Sequence, residues 1–324
     1  MKNNNVIPIF FASDENYAPY LCTTIYSILE NTKSFVEIYV LDGGILEESK
    51  ILIQQSLLKF ANFSIEYIDM SRFDLNRFPN LRHYSINTFS RYFIPELKPN
   101  LNKVLYLDVD IIAKDDIAKL YFQDLEGYPI GAVLEDFYGL NGKYIQEYID
   151  PNFKSGIKSF NAGILILDIQ QFIKNNYSKI LVDKTIELAD RLSAPDQDVL
   201  NIVFENNYKI IDYRWNFMID LFDKFKKMYP QKAKEIIKDY SIVHYVSHKP
   251  WKNELSLAQK DFMDIANKTM FSKKINETLQ RNIKDEIEPK KLSTIQKIFS
   301  ITNSNGRKHK IITILGIKIK IKRK

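Results

Sequence analysis

The first third of the chain alternates short apolar runs with segments whose apolar residues recur at helical spacing. Val6–Ala12 has the length of a buried strand, and Pro19–Asn31 then places Leu21, Ile25 and Ile28 on one helical face. The alternation continues through four further segments: Val36–Leu41, Leu46–Phe60, Phe63–Ile68 and Val104–Leu107. Because strands that alternate with helices form parallel sheets, we expect an α/β fold with a mostly parallel, Rossmann-like sheet flanked by helices.

The remainder of the chain adds further strands, a polar helical stretch and a distinct end. Three more apolar runs have strand length: Ile130–Leu134, Ile164–Asp168 and Ser241–Val246. After Pro250 the pattern becomes helical and polar, and Pro289 begins a basic segment. We therefore expect a main domain over residues 1–255, a helical extension over 256–288 and a basic tail over 289–324.

Composition limits where the protein acts. With 324 residues, 45% of them hydrophobic, the chain can bury a large core. The only cysteine is Cys22, which excludes an intramolecular disulfide, and no secretory signal is recognisable, so we expect a cytoplasmic protein. No run approaches the roughly 18 to 20 apolar residues of a spanning helix, so membrane association is expected to be peripheral.

The positive charge is concentrated in the tail. Of the 46 Lys and Arg residues, 11 lie within 289–324, which holds no Asp or Glu, so acidic residues outnumber basic ones elsewhere. A protein that binds nucleic acid with its main fold would show basic residues across that fold, and we therefore expect no nucleic-acid partner.

The tail is also amphipathic, which a solvated charge run need not be. Residues 292–299 carry apolar side chains at helical spacing, whereas Ile317, Ile319 and Ile321 alternate with lysines, so the pattern leaves helix and strand open. Basic residues with interleaved apolar ones suit an anionic membrane surface. We expect the tail to hold the protein at the inner face of the plasma membrane.

Two aspartates follow the apolar run Val104–Leu107, at the carboxyl end of its predicted strand. Asp108 and Asp110 are two residues apart, and such residues project from the same side of an extended chain. Turn or capping aspartates are the plain alternative, but Ile111 and Ile112 resume the apolar run, where unpaired charge is costly. Paired carboxylates suit Mg²⁺ or Mn²⁺, which share their coordination with substrate phosphates.

Other polar residues also follow apolar runs, and ligands of parallel sheets bind beyond the carboxyl ends of strands. Asp14 and Asn16 could cap the first helix or bind a nucleotide, with Tyr17 offering a ring for stacking. Asp196 and Asp198 are adequately explained as acidic residues in the first turn of a helix.

One of only four histidines ends an apolar run within the last predicted strand of the main domain. His244 is either a satisfied structural residue or a ligand, and Lys249 follows it as a point charge suited to phosphate.

Six motifs occur in the order found in glycosyltransferase family eight. They are FASDENY at 11–17, HYSINTFSR at 83–91, VLYLDVD at 104–110, FNAG at 160–163, DQD at 196–198 and HYVSHKPW at 244–251. Over roughly residues 5–255 the chain resembles this family, and most closely its bacterial lipooligosaccharide and lipopolysaccharide galactosyl- and glucosyltransferases. The resemblance implies a GT-A catalytic domain over residues 1–255, and the sequence pattern after it predicts a helical, basic C-terminal appendage.

The resemblance also implies an activity and a set of site residues. The reaction would be retaining transfer of a hexose from UDP-galactose or UDP-glucose to a glycan or glycolipid acceptor, with Mn²⁺, or Mg²⁺ in its place. The implied metal ligands are Asp108, Asp110 and His244. The implied donor contacts are Ala12, Asp14, Asn16, Tyr17, Arg91, Asp108, Val109, Asp110, Asn161 and Lys249. The implied sugar-pocket residues are Asp196, Gln197 beneath the anomeric carbon, and either Glu135 or the adjacent Asp136 as the acid.

Three other classes are weaker alternatives. A phosphohydrolase of the haloacid-dehalogenase type also places Asp-x-Asp after an apolar strand, but near the N-terminus and before Gly or Thr rather than Ile111. A non-catalytic nucleotide-sugar-binding protein or a self-glucosylating primer would keep the same fold and motifs.

Overall fold

The computed structural model describes residues 6–79, 85–135, 159–219, 222, 226–227, 230–236, 240–247, 249–252, 258–287, 299–303, 309–314 and 317–322. The chain forms two compact units, Met1–Thr278 and Leu279–Lys324.

The strands of the first unit are β1 Val6–Ser13, β2 Phe35–Asp42, β3 Phe63–Asp69, β4 Lys103–Leu107, β5 Ile111–Ala113, β6 Ile130–Leu134, β7 Phe160–Asp168, β8 Lys209–Ile211, β9 Phe217–Met218 and β10 Ile242–His244. Seven of these strands form the main sheet in the order β3-β2-β1-β4-β7-β6-β8. Six strands run in one direction, and β7 is antiparallel to its neighbours β4 and β6. The predicted mostly parallel sheet is confirmed.

The helices in the described parts of the chain are α1 Ala18–Asn31, α2 Glu47–Ser56, α3 Ile94–Leu97, α4 Ala118–Tyr121, α5 Ile169–Lys174, α6 Tyr177–Leu188, α7 Pro195–Val203, α8 Pro230–Ile236, α9 Ala258–Ala266 and α10 Ser272–Ile287. Three 3₁₀ turns lie at Leu75–Arg77, Ile86–Phe93 and Tyr213–Trp215. α1 begins next to Pro19, whose fixed φ suits a first helical turn, and nearly all of its residues are buried.

The main sheet is buried on both faces, as expected for parallel strands covered by helices. Successive residues of β1 show this, because Ile9 and Phe11 pack into one apolar core and Phe10 packs into the other. The first core also contains Leu21 and Ile25 of α1. Strands that are apolar on both faces leave polar groups for the strand ends, where the site residues lie.

A small second sheet connects two segments that are far apart in sequence. It has the order β5-β10-β9, with β10 antiparallel to β5 and parallel to β9. His244 pairs with Ile111 on one side and with Met218 on the other. The last residue of β10 is thereby placed beside the residue that directly follows Asp110.

The C-terminal part of the chain has helices followed by a tail of strands. α9 and α10 lie in the stretch expected to be helical, and the basic tail contains three antiparallel strands, β11 Phe299–Asn303, β12 His309–Ile314 and β13 Ile317–Lys322. The sequence left helix and strand open for the tail, and its described residues form strands, which alternating isoleucine and lysine and β-branched residues favour. Leu292, Ile295 and Ile298 lie outside the described residues.

Among the helices described here, none is long and apolar enough to cross a membrane.

Candidate active site

Asp108 and Asp110 lie directly after β4, and two neighbouring segments hold their backbone. The amide of Asp108 donates to the carbonyl of Gly163 at 2.7 Å, and the carbonyl of Asp110 accepts from the amide of Tyr245 at 3.0 Å. The pair therefore lies where β4, β7 and the end of β10 meet. This position agrees with the rule that ligands bind beyond the carboxyl ends of parallel strands.

His244 joins the two aspartates in one cluster. Its Nε2 atom is 3.3 Å from Oδ1 of Asp110 and 3.8 Å from Oδ2 of Asp108. One ligand atom from each of the three residues lies within 4.8 Å of the others, and His244 and Asp110 are buried. Two carboxylate oxygens and one imidazole nitrogen form a donor set that fits a divalent cation such as Mn²⁺ or Mg²⁺.

Gly163 leaves the space around these ligands open. A Cβ atom added to Gly163 would collide with Cε1 of His244 and would lie 2.7 Å from Oδ2 of Asp108. A larger residue would therefore push both side chains out of the cluster. The structure thus requires glycine here for space.

Lys249 forms an ion pair with Asp110. Its ammonium donates to Oδ2 of Asp110 and to the carbonyls of Tyr245 and Val246, at 2.6 and 3.0 Å. Burial alone would raise the pKa of Asp110, but Lys249 and His244 hold that pKa well below its usual range. Asp110 is therefore ready to act as an anionic ligand near neutral pH.

Arg91 connects the aspartate cluster to the opposite wall of the site. Its guanidinium pairs with Asp196 at 2.9 Å and with Asp108 at 3.2 Å, and it donates to the carbonyl of Ala162 at 2.6 Å. The guanidinium carbon lies 4.0 Å from the ring centre of Tyr106. Arg91 and Asp196 are both buried, so each neutralises a charge that would otherwise be costly.

The two aspartates of the cluster differ in their electrostatics. Burial raises the pKa of Asp108, the Arg91 guanidinium opposes this rise, and the negative charge of Asp110 adds to it. A cation bound between the two carboxylates would relieve that repulsion.

Asn161, Gln197 and Glu135 form a chain of hydrogen bonds next to Arg91. The amide nitrogen of Asn161 donates to Oε1 of Gln197 at 2.9 Å, and the backbone amide of Ala162 donates to the same oxygen at 3.1 Å. The amide nitrogen of Gln197 donates to Oε2 of Glu135 at 3.3 Å, and so does the hydroxyl of Ser159. The orientation of the Gln197 amide is therefore fixed from both ends.

The residues predicted to bind the nucleoside lie where β1 ends and α1 begins. Oδ1 of Asp14 accepts from the amides of Asn16 and Tyr17 at 3.0 and 3.3 Å, in a turn ahead of α1. The N-cap of α1 is Tyr17 and no side chain forms a capping hydrogen bond there, so the predicted cap by Asp14 or Asn16 is not formed. Ala12 is half-buried and Asn16 is exposed. The ring of Tyr17 meets the ring of Trp251 edge to face at 6.2 Å.

Val109 and Asp198 make hydrogen bonds that stabilise the fold. Val109 is buried, and its carbonyl accepts from the hydroxyl of Thr24 in α1 at 2.9 Å. Asp198 accepts from the amides of Ser193 and Ala194 at 2.8 and 2.7 Å, at the start of α7. Burial raises the pKa of Asp198 to about 6, and the two amide donors oppose that rise.

The structure brings most of the predicted site residues into one connected network: Arg91, Asp108, Asp110, Glu135, Asn161, Asp196, Gln197, His244 and Lys249. The nucleoside candidates at the end of β1 form a second cluster. Asp136, the alternative to Glu135, lies outside the described residues, as does His248.

Sequence reasoning missed two residues that shape the site. The side-chain oxygen of Asn216 lies 2.8 Å from Nδ1 of His244, and the only signal was a polar residue directly before an apolar pair. Gly163 belongs to the motif FNAG, but the sequence suggested no role for the glycine itself. Its role becomes visible only from the packing of Asp108 and His244 around it.

Comparisons with known proteins agree with this arrangement. A family model described as Glycosyl transferase family 8 matches residues 8–254. Glycosyltransferase GlyF of Streptococcus pneumoniae is 31% identical over 248 residues, or 75% of this chain and 56% of GlyF. A lipopolysaccharide 1,2-glucosyltransferase of Escherichia coli is 25% identical over 257 residues, or 77% of this chain and 74% of that protein. The chain thus spans little more than half the length of GlyF.

A solved structure matches as well. The galactosyltransferase LgtC, in complex with donor and acceptor sugar analogs, matches with a TM-score of 0.69 and 26% identity, covering 82% of this chain and 96% of LgtC. The mostly parallel sheet with its flanking helices is the expected GT-A fold. Because the family model covers most of the chain, this protein belongs to glycosyltransferase family 8.

Proposed function

We propose that this protein is a retaining hexosyltransferase that moves galactose or glucose from its UDP derivative to a hydroxyl of a glycan acceptor. The acceptor would belong to lipopolysaccharide, lipooligosaccharide or capsule assembly, and residues 1–255 would form the catalytic domain. The observation that carries the proposal is the meeting of Asp108, Asp110 and His244 at the carboxyl edge of the sheet. Membership of the family and the similarity to a lipopolysaccharide glucosyltransferase and to LgtC support it.

Asp108, Asp110 and His244 would hold a divalent cation, which we propose to be Mn²⁺, with Mg²⁺ as its substitute. The cation would supply positive charge to the donor diphosphate, whose charge increases as UDP leaves. Gly163 keeps the space for these ligands, and Arg91 fixes one oxygen of Asp108 by pairing with it.

Other residues of the network would bind the donor. Lys249 carries a half-buried positive charge beside Asp110 and would contact the diphosphate, because an ammonium group is a compact partner for phosphate oxygens. Arg91 and Asn161 would orient the diphosphate and the sugar. The proposed nucleoside contacts at the end of β1 are Ala12, Asp14, Asn16 and Tyr17, and the proposed contact beside the aspartates is Val109.

The sugar would lie next to Asp196, Gln197 and Glu135. Retention requires either a double displacement through an enzyme nucleophile or attack on the face from which the leaving group departs. The side-chain oxygen of Gln197 already accepts two hydrogen bonds, and an amide is a poor nucleophile, so we favour same-face attack. In that case Asp196 and Gln197 would hold the sugar and stabilise its developing positive charge. Trapping a glycosyl adduct on Asp196 or Glu135 during turnover would overturn this mechanism.

A donor screen tests the proposed activity. The full-length protein is incubated with Mn²⁺ and each of several sugar nucleotides, and UDP release is measured with and without a glycan acceptor. We expect release from UDP-galactose or UDP-glucose, loss of release with Asp110→Asn, and an α-linked product by NMR. If no UDP-hexose is consumed, the proposed activity is wrong. If the protein itself gains the mass of hexose units, it is a self-glycosylating primer.

For the tail, we propose binding to an anionic membrane surface through residues 289–324, which would place the enzyme at the inner face of the plasma membrane. The support is that this segment holds 11 basic residues and no acidic one. Each basic residue near such a surface contributes about 1 kcal/mol of binding free energy. Deleting 289–324 should abolish co-sedimentation with anionic vesicles and leave activity on a soluble acceptor. Replacing Lys318, Lys320 and Lys322 by Gln should weaken the co-sedimentation in part. Vesicle binding by the truncated protein would refute the role of the tail.

A further inference from the structure

Asn216 connects the metal-ligand cluster to the amide chain of the sugar pocket. It follows the 3₁₀ turn Tyr213–Trp215, directly before β9, and its side chain is fully buried. One side of its amide group is 2.8 Å from Nδ1 of His244, and the other side is 2.9 Å from Oδ1 of Asn161. A buried amide with two such partners can be satisfied in only one orientation.

The backbone of β7 determines that orientation. The amide N–H of Gly163 donates to Oδ1 of Asn161 at 3.0 Å, and a backbone amide can only donate, so that Asn161 atom must be the oxygen. The Asn216 atom that faces it must then be the nitrogen. It follows that the oxygen of Asn216 faces Nδ1 of His244, which must carry a proton to form this bond.

We propose that Asn216 is a positioning residue that keeps a proton on Nδ1 of His244 and thereby directs the Nε2 lone pair towards Asp108 and Asp110. An imidazole that binds a metal through one nitrogen usually donates its other N–H to a fixed acceptor, which sets its tautomer and ring orientation. Asn216 is that acceptor. This inference rests on the proposed function, because the cation it serves is part of that function.

The same chain of donors reaches the sugar pocket. His244 donates to Asn216, Asn216 to Asn161, Asn161 to Gln197 and Gln197 to Glu135. Every bond runs in one direction, and the chain ends on a carboxylate, which can only accept when ionised. Asn216 therefore sets the orientation of the metal ligand and supports the orientation of the amides that face the proposed sugar.

The first test is Asn216→Ala in the full-length protein, compared with Asn201→Ala. Asn201 is also buried and bonds the backbone of Phe160 and Gln197, but it does not touch His244. We expect Asn216→Ala to weaken Mn²⁺ binding roughly 10- to 100-fold, the usual loss for a partner of a metal-bound histidine. Asn201→Ala should cost stability and leave the Mn²⁺ affinity unchanged.

The second readout is the ¹⁵N spectrum of the histidine rings, recorded without metal and with Mg²⁺. The chain has only four histidines, and the signals of His244 are those that disappear in His244→Ala. Wild type and Asn201→Ala should show Nδ1 with a bonded proton. Without metal, Asn216→Ala should show an unprotonated Nδ1, because a proton on Nε2 can instead be shared with Asp110.

The conservative variant Asn216→Asp separates the two ends of the chain. Its carboxylate still accepts from Nδ1 of His244, so the Mn²⁺ affinity and the Nδ1 signal should stay close to wild type. It cannot donate to Asn161, so the turnover number should fall while the affinity for Mn²⁺ is kept. This separation would not arise if Asn216 only filled space.

The inference can fail independently of the proposed function. If Asn216→Ala keeps both the wild-type Mn²⁺ affinity and the proton on Nδ1, Asn216 is not a positioning residue, even if UDP-hexose is consumed. If the predicted losses occur while no UDP-hexose is consumed by wild type, the positioning role holds and the proposed transfer fails.

Discussion

Two clusters of polar residues lie at the same edge of the main sheet, and they differ in what explains them. At the end of β1, Oδ1 of Asp14 accepts from the amides of Asn16 and Tyr17, so a local turn accounts for most of its contacts. Its one distant partner among the described residues is the hydroxyl of Ser85, 3.5 Å from Oδ2. Beyond β4, Asp108 and Asp110 meet His244 from more than 100 residues away. No local turn or cap accounts for this second cluster.

The difference shows which polar motifs carry functional information. A carboxylate that accepts from backbone amides two and three residues further along the chain has a structural role even without a ligand. Two neighbouring carboxylates held close together in a partly buried site repel one another and lose hydration, so their arrangement needs a compensating charge. Lys249 and Arg91 supply part of that charge here, and the donor set supplies a place for a cation. The four predictions that follow test this contrast.

The largest expected effect is that of Gly163→Ala. The added Cβ would displace His244 and Asp108, so metal-dependent turnover should fall by about 10³-fold, comparable to losing a major electrostatic contribution. The matched control is Gly131→Ala in β6, where the Cβ would instead lie 2.8 Å from Leu125. Both variants should lose about 1–3 kcal/mol of stability, but only the first should lose turnover. Equal turnover in the two variants would contradict the role given to the space at Gly163.

The next effect concerns the buried ion pair. Arg91→Met removes the partner of Asp196 and leaves a buried carboxylate unpaired, which should lower the free energy of unfolding by about 3–5 kcal/mol in urea titrations. Adding Asp196→Asn in the same chain should restore much of the loss. If Arg91→Met unfolds at the same urea concentration as wild type, the buried Asp196 carboxylate does not depend on Arg91 for charge compensation.

A smaller effect is a pH dependence of stability caused by Asp198. Its pKa is raised by burial from an unfolded value of 3.8 to about 6, so the folded protein holds this proton more tightly. Stability from this group is therefore present below pH 4 and lost as the pH rises towards 6. Relative to Asp198→Asn, wild type should lose roughly 2–3 kcal/mol between pH 4 and pH 7 in urea unfolding. A constant difference between the two proteins would refute the shift.

The smallest effect is expected at the end of β1. Asp14→Ala removes the acceptor of two backbone amides in the turn before α1 and should cost about 1 kcal/mol of stability. Because Asp14 is also a proposed nucleoside contact, UDP release should fall, but much less than in Gly163→Ala. If Asp14→Ala abolished UDP release without further loss of stability, the local turn would not be the main role of Asp14 and the contrast between the two clusters would break.

Much of the fold follows from hydrophobic periodicity. The strands predicted at 36–41, 63–68 and 130–134 match the observed ones to within a residue at each end, because each is a strongly apolar run. β7 was predicted from Ile164 but begins at Phe160, and its first four residues were missed because Asn161 and Gly163 interrupt the apolar pattern. In the tail, the sequence left helix and strand open, and the pairing of β12 with β13 decides for strand.

Less of the site could be predicted, because the orientation of its side chains depends on contacts between residues far apart in sequence. The aspartates after β4 are visible in the sequence, and the family motifs add His244 and Lys249. Asn216 was missed because its role arises only when β9 lies beside β10. The chain of hydrogen bonds from His244 to Glu135 depends on the backbone amides of Ala162 and Gly163. These amides lie where the pairing of β6 with β7 shifts, and they donate to side chains.

The central claim is that Asp108, Asp110 and His244 form one cation site, and titration of the full-length protein with Mn²⁺ tests it most directly. Free Mn²⁺ is followed by electron paramagnetic resonance for wild type, His244→Ala and the control His309→Ala in the tail. We predict that His244→Ala binds Mn²⁺ more than about 100-fold more weakly, beyond the loss typical of an outer-shell partner, while His309→Ala matches wild type. Wild-type affinity in His244→Ala would contradict the claim.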